Sequence, residues 1–120
     1  MNPSYLLLYV TDVARSAALY AEITGRTPVE QSPGFALFAL DTLRFGLWRR
    51  DAVQPAVTVD PGALEIGFPL ETEAELAATL ARWTALGLTL LQPVTTMEFG
   101  RTFTVADPDG HRLRAFVLSV

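Results

Sequence analysis

Apolar and polar residues follow the same order twice along this chain. Each half opens on a short apolar run suited to a strand, "YLLLYV" at residues 5–10 and "LEIGFPL" at residues 64–70, and then changes to helical spacing. In the first half Asp12 or Thr11 stands where a side-chain oxygen caps the free N–H groups of a helix. Val13, Ala17 and Tyr20 then share one face, with Ala21 at its margin, and Gly25 supplies a left-handed stop. In the second half "TEAE" is a capping box in which Thr72 and Glu75 exchange bonds with each other's backbone N–H. Leu76, Leu80 and Trp83 form the buried stripe, and Gly87 ends the helix.

Three extended segments follow each helix. They run about Pro28 to Gln31, Phe35 to Leu40 and Leu43 to Trp48 in the first half, and about Thr89 to Pro93, Arg101 to Ala106 and Arg112 to Leu118 in the second. The turn before the last segment is well specified: Pro108 presets the first central position of a type I turn, and Gly110 takes the left-handed position after it. The pattern predicts an α+β fold of tandem βαβββ modules, about residues 1–50 and 63–120, joined by a linker at 51–62 within "RRDAVQPAVTVDPG". Such modules form a curled mixed sheet around a cavity, with helices outside. A ferredoxin-like α+β sandwich with a solid sheet face fits part of the same string.

Alternation along the strands sorts side chains onto two faces. Leu43, Phe45 and Leu47, and likewise Leu64, Ile66 and Phe68, make faces suited to packing under a helix. Opposite them lie Arg44, Gly46 and Trp48 in one strand and Glu65 and Gly67 in the other. Tyr5, Leu7 and Tyr9 share a face of the first strand, and Arg112, Arg114 and Phe116 share a face of the last. Glycine weakens a strand, so Gly46 and Gly67 make most sense where something, such as a ligand, approaches the backbone closely. Trp48 is either a stacking plate or packing filler, and Glu65 with Arg114 is either part of a site or an ordinary surface pair.

Half of the 120 residues are hydrophobic, enough for a core. The absence of cysteine excludes disulfides, thiolate metal sites and cysteine nucleophiles, and suits a cytoplasmic protein. The opening "MNPSYLLLYV" lacks a basic leader region, and its apolar run is too short for a bilayer. A net charge of -4 argues against a nucleic-acid partner. His111, the single histidine, is expected at the surface beside the turn, with no triad around it.

The two modules, with "YVTDVARSAALY" near the start and "DPDGHRLRAF" near the end, resemble the vicinal oxygen chelate superfamily of glyoxalase I, extradiol dioxygenases and bleomycin-resistance proteins. Within it, "YVTDVARS", "FGLW", "LEIGFPL" and "FGRTFTVADPDGHRLR" are similar to the phenazine-antibiotic resistance subgroup, which binds griseoluteate-type compounds. The resemblance places the superfamily's metal-ligand positions at Tyr5, Glu65 and Arg114. Only Glu65 among these suits a divalent ion, and a fixed cation at Arg114 repels one. The resemblance therefore implies no catalytic residues, no metal and no cofactor, with the guanidinium taking over the electrostatic role of the ion.

What it implies instead is sequestration of a planar aromatic small molecule, a phenazine-like antibiotic, by a cytoplasmic homodimer with two equivalent sites. Trp48 stacks on the ring, Phe99 and Met97 form lids or edges, and Arg114, Arg101, Glu65 and the Tyr5 hydroxyl give polar direction. Arg101 has an alternative task in pairing with an acid near the hairpin, and Met97 in the core. The competing expectations are a metal-dependent glyoxalase, lyase or dioxygenase, and a dimerising module with a collapsed pocket.

Overall fold

The computed structural model describes residues 1–119. The chain divides into two compact units, one spanning Met1–Val59 and one from Asp60 onward. The first contains strand β1 (Tyr5–Val10), helix α1 (Val13–Thr24), β2 (Glu30–Gln31), β3 (Phe35–Ala39) and β4 (Arg44–Arg49), then a single 3-10 turn at Arg50–Ala52. The second contains β5 (Glu65–Pro69), α2 (Glu73–Ala85), β6 (Thr89–Met97), β7 (Gly100–Ala106) and β8 (Arg112–Leu118). The βαβββ order therefore occurs twice.

The strands form the α+β arrangement that the tandem pattern predicts, each module contributing one four-stranded mixed sheet, ordered β1-β4-β3-β2 and β5-β8-β7-β6. In each, the first strand of the unit pairs in parallel with the last, and the remaining pairs are antiparallel. Period-two alternation assigns a face to each residue but says nothing about which strands pair.

Helix α1 begins as its sequence requires. Asp12 is extended at φ -133°, and its Oδ1 accepts from the Arg15 N–H at 3.1 Å, a cap worth about 1 kcal/mol. Gly25 closes the helix at φ 71°, donating to the Ala21 carbonyl. Val13, Ala17 and Tyr20 are buried over Leu8, Val10, Ala36, Phe38, Phe45 and Leu47, with the Tyr20 ring 4.9 Å from that of Phe45. Ser16, which carries no apolar signal, is also fully buried on this face.

At α2 the Thr72 hydroxyl accepts from the Glu75 N–H at 3.1 Å. The reciprocal half of the expected box is displaced by one residue: Glu75 Oε2 accepts from the Glu71 N–H at 3.3 Å, not from that of Thr72. The far end closes by two nested bonds, Leu88 N–H to the Trp83 carbonyl at 3.2 Å and Gly87 N–H to the Thr84 carbonyl at 3.0 Å, with Gly87 at φ 93°. Leu76 and Trp83 are buried, and Trp83 stands edge-on to Phe68 and Phe103 at 5.0 and 5.5 Å. Leu80 is only half-buried, and Leu64 lies outside β5 with 63% of its surface exposed.

Two other strands differ from expectation. β2 shrinks to Glu30–Gln31, with the Val29 N–H just ahead of it still donating to the Leu37 carbonyl at 2.8 Å. β6 runs through Pro93 to Met97, with register shifts between Leu90 and Gln92 and between Gln92 and Thr95. Proline is tolerated there because β6 is the edge strand of its sheet. No helix among the described residues is long and apolar enough to cross a membrane.

Candidate functional site

In the second unit, alternation on β7 decides what faces where. Phe103 packs on Trp83 of α2, so the odd-numbered residues of β7 lie under the helix and Thr102 and Thr104 point to the opposite, helix-free face. Arg114 of β8 points the same way as these threonines. Its Nε donates to Glu65 Oε1 at 2.7 Å, and its Nη1 donates to Gln92 Oε1 at 3.1 Å and to Thr102 Oγ1 at 3.2 Å. Thr104 donates to the same Gln92 oxygen at 3.3 Å, and Thr102 donates onward to the Ala115 carbonyl at 2.8 Å.

The network draws on all four strands of the sheet. The Arg114 side chain is 18% exposed and that of Glu65 42%, so the pair straddles the surface and is less screened than an ordinary exterior ion pair.

Apolar groups border this polar centre. Phe116, two residues on from Arg114 and on the same face, meets the edge of the Phe99 ring at 6.1 Å. Met97 receives the Gln92 amide N–H on its sulfur at 3.6 Å. Of the residues that the sequence singles out in this half, Glu65, Arg114, Met97 and Phe99 are thus brought to one face. Arg101 is not. It lies on the helix side of β7, where Nε donates to Glu73 Oε1 at 3.2 Å and Nη1 to Thr96 Oγ1 at 3.1 Å.

In the first unit Tyr9, Trp48 and Phe35 are direct neighbours across β1, β4 and β3. All three are half-buried, and Tyr9 meets Trp48 edge-on at 6.1 Å. Together they make an aromatic row on the helix-free face of that sheet. Tyr5 shares the face but pairs with Arg44, four register positions from Trp48 and so roughly 13 Å away along the strands.

Neither strand glycine holds its place for a ligand. A methyl group at Gly46 would stand 2.6 Å from Leu7 Cδ2 and 3.1 Å from the Phe35 ring, and one at Gly67 would stand 3.3 Å from the Phe116 ring. The chain's own side chains fill both notches.

The final hairpin is held by more than proline and glycine. Asp107, almost wholly buried, accepts through Oδ1 from the N–H groups of Asp109 at 3.0 Å and His111 at 2.8 Å, while Gly110 at φ 99° donates to the Asp107 carbonyl. His111 is half-buried, not exposed as expected.

This architecture has known relatives. Residues 3–115 match the model of the Glyoxalase/Bleomycin resistance protein/Dioxygenase superfamily. The chain belongs to this superfamily. Its superfamily relatives include the phenazine antibiotic resistance protein EhpR of Enterobacter agglomerans, 32% identical over 95% of this chain and 90% of that protein. Among solved structures, protein ATC0852 from Agrobacterium tumefaciens superposes with a TM-score of 0.93 at 41% identity, covering 100% of this chain and 99% of the other. A glyoxalase-related enzyme from Fulvimarina pelagi superposes with a TM-score of 0.88 at 28% identity, covering 98% and 88% respectively.

Many glyoxalase-superfamily enzymes hold a metal ion, and the residues here do not fit one. Tyr5 offers a phenol, Arg114 is a cation, and the Glu65 oxygen nearest it is engaged by that cation at 2.7 Å. Among the described residues no three His, Cys, Asp or Glu side chains converge in a group able to hold an ion.

Gln92, Thr102, Thr104, Tyr9 and Phe35 complete the two faces and were not singled out from sequence. The threonines carried a signal in the alternation of "GRTFTVA", and Tyr9 and Phe35 in their strand parity with Trp48. Gln92 carried none, because β6 changes register on both sides of it.

Proposed function

We propose that this protein binds a planar aromatic small molecule of the phenazine class and sequesters it unchanged, so that the cell producing the protein tolerates the compound. The observation that carries this reading is the Glu65–Arg114 pair, in which a guanidinium holds the carboxylate at 2.7 Å, at positions that the sequence resemblance assigns to metal ligands. Ring surface for stacking is offered by Trp48 with Tyr9 and Phe35, and by Phe99 and Phe116 beside Arg114. Such contacts contribute about 0.5–1.5 kcal/mol each beyond area burial. Kinship with EhpR, a phenazine antibiotic resistance protein, supports the ligand class. The protein is proposed to act in the cytoplasm as a homodimer with two equivalent sites.

Titration calorimetry with phenazine and phenazine-1-carboxamide tests the proposal, together with mass spectrometry of the ligand after prolonged incubation. Saturable binding at one ligand per chain, with the compound recovered intact, is expected. Chemical conversion of the ligand, or no binding of either compound, would defeat the reading.

A further inference from the structure

The donor inventory around Arg114 narrows the chemistry of the ligand. A guanidinium carries five N–H groups and accepts nothing. Nε is taken by Glu65, and Nη1 by Gln92 and Thr102, which leaves Nη2 without an acceptor among the described residues. The same contacts orient the Gln92 amide. Its oxygen must face a group that only donates, and Thr104 shares that oxygen. The amide nitrogen is thereby turned to the Met97 sulfur at 3.6 Å, a weak acceptor. The polar centre therefore presents donors, Arg114 Nη2 and Gln92 Nε2, bordered by Met97 and Phe99, which are 42% and 37% exposed.

Charge then selects among acceptors. The positive charge of Arg114 is already matched by Glu65 at 2.7 Å, so the pair offers a ligand no net charge. A carboxylate drawn to Nη2 would be desolvated beside a second carboxylate on the same guanidinium, in a partly buried place where repulsion is poorly screened. A carbonyl, carboxamide oxygen or ring nitrogen takes the same donors without that repulsion.

We infer that the helix-free face of the second unit receives an uncharged hydrogen-bond acceptor carried on an aromatic ring, with Glu65 setting the charge preference and Gln92 positioning Arg114 while presenting its own amide. This rests on the function proposed above and specifies its ligand.

The test compares phenazine-1-carboxamide with phenazine-1-carboxylate, two ligands of nearly the same shape, by calorimetry on the full chain at about pH 8, where the carboxylate is ionised. The wild type is expected to bind the amide about tenfold more tightly. Glu65→Gln, which leaves the guanidinium unbalanced, inverts that preference, and Gln92→Leu lowers amide affinity about tenfold. Thermal melts establish that both variants are folded. Equal affinities, a wild-type preference for the carboxylate, or a preference unmoved by Glu65→Gln would overturn the inference while leaving the sequestering function intact. Binding of neither compound would remove both.

Discussion

Glu65 reaches Arg114 diagonally across the parallel pair β5–β8. The residue directly opposite Arg114 is Gly67, and Glu65 itself stands opposite Arg112, yet the ion pair closes at 2.7 Å. A parallel ladder of this kind lets a carboxylate and a guanidinium meet from positions two residues out of register, while the smallest residue occupies the place between.

The energetic weight of this contact is measurable by a double-mutant cycle. Arg114→Ala removes partners from Glu65, Gln92 and Thr102 together and is expected to lower stability by about 1–2 kcal/mol. Glu65→Gln keeps the shape, removes one charge from a side chain 42% exposed, and should cost less than about 1 kcal/mol. Urea unfolding of both single variants and the double variant gives the coupling. Strict additivity would mean that the two groups do not stabilise each other.

Asp107 is expected to matter more than the proline that follows it. Asp107→Ala leaves the N–H groups of Asp109 and His111 without their shared acceptor and should cost about 2 kcal/mol, whereas Asp107→Asn keeps an acceptor oxygen and should cost about half as much. Shifts in the chemical-denaturation midpoint would show the order.

Gly100 is the glycine whose replacement the fold tolerates least. It sits at φ 146°, and a Cβ there would fall 2.0 Å from the Val117 carbonyl oxygen, a backbone atom that cannot swing aside. Gly100→Ala should therefore destabilise by at least about 2–3 kcal/mol, read as a lowered melting temperature or loss of soluble protein.

The two tryptophans should separate stability from binding. Trp83→Ala opens a hole between Phe68 and Phe103 and is expected to cost about 3–5 kcal/mol. Trp48→Ala removes a half-buried ring from the row with Tyr9 and should cost about 1 kcal/mol while weakening phenazine binding. Denaturation and calorimetry on the same two variants check both halves of this expectation.

Local signals made the helices legible in the sequence. Asp12 and Thr72 cap, Gly25 and Gly87 stop, and the apolar spacing between them places Tyr20 and Trp83 inward, because each of these choices is decided within a few residues. Strand faces were legible for the same reason. What lay hidden was whatever depends on pairing. Gly46 and Gly67 announced a close approach, but only the sheet register shows that Leu7, Phe35 and Phe116 do the approaching. Arg101 drew attention by its charge and Thr102 beside it did not, and only the position of Trp83 fixes which of the two the helix covers. Gln92 lies within an irregular stretch ahead of a proline, where neither parity nor propensity marks it.

The interrupted ladder of β6 has a consequence beyond its own sheet. A long regular edge strand is a template on which another chain can add, the first step toward aggregation. Here Pro93 removes one donor, and two breaks in register spoil the spacing of the others, so an incoming strand finds no continuous row to copy. The edge at β2 reaches the same end by brevity, with two residues too few to seed a fibril.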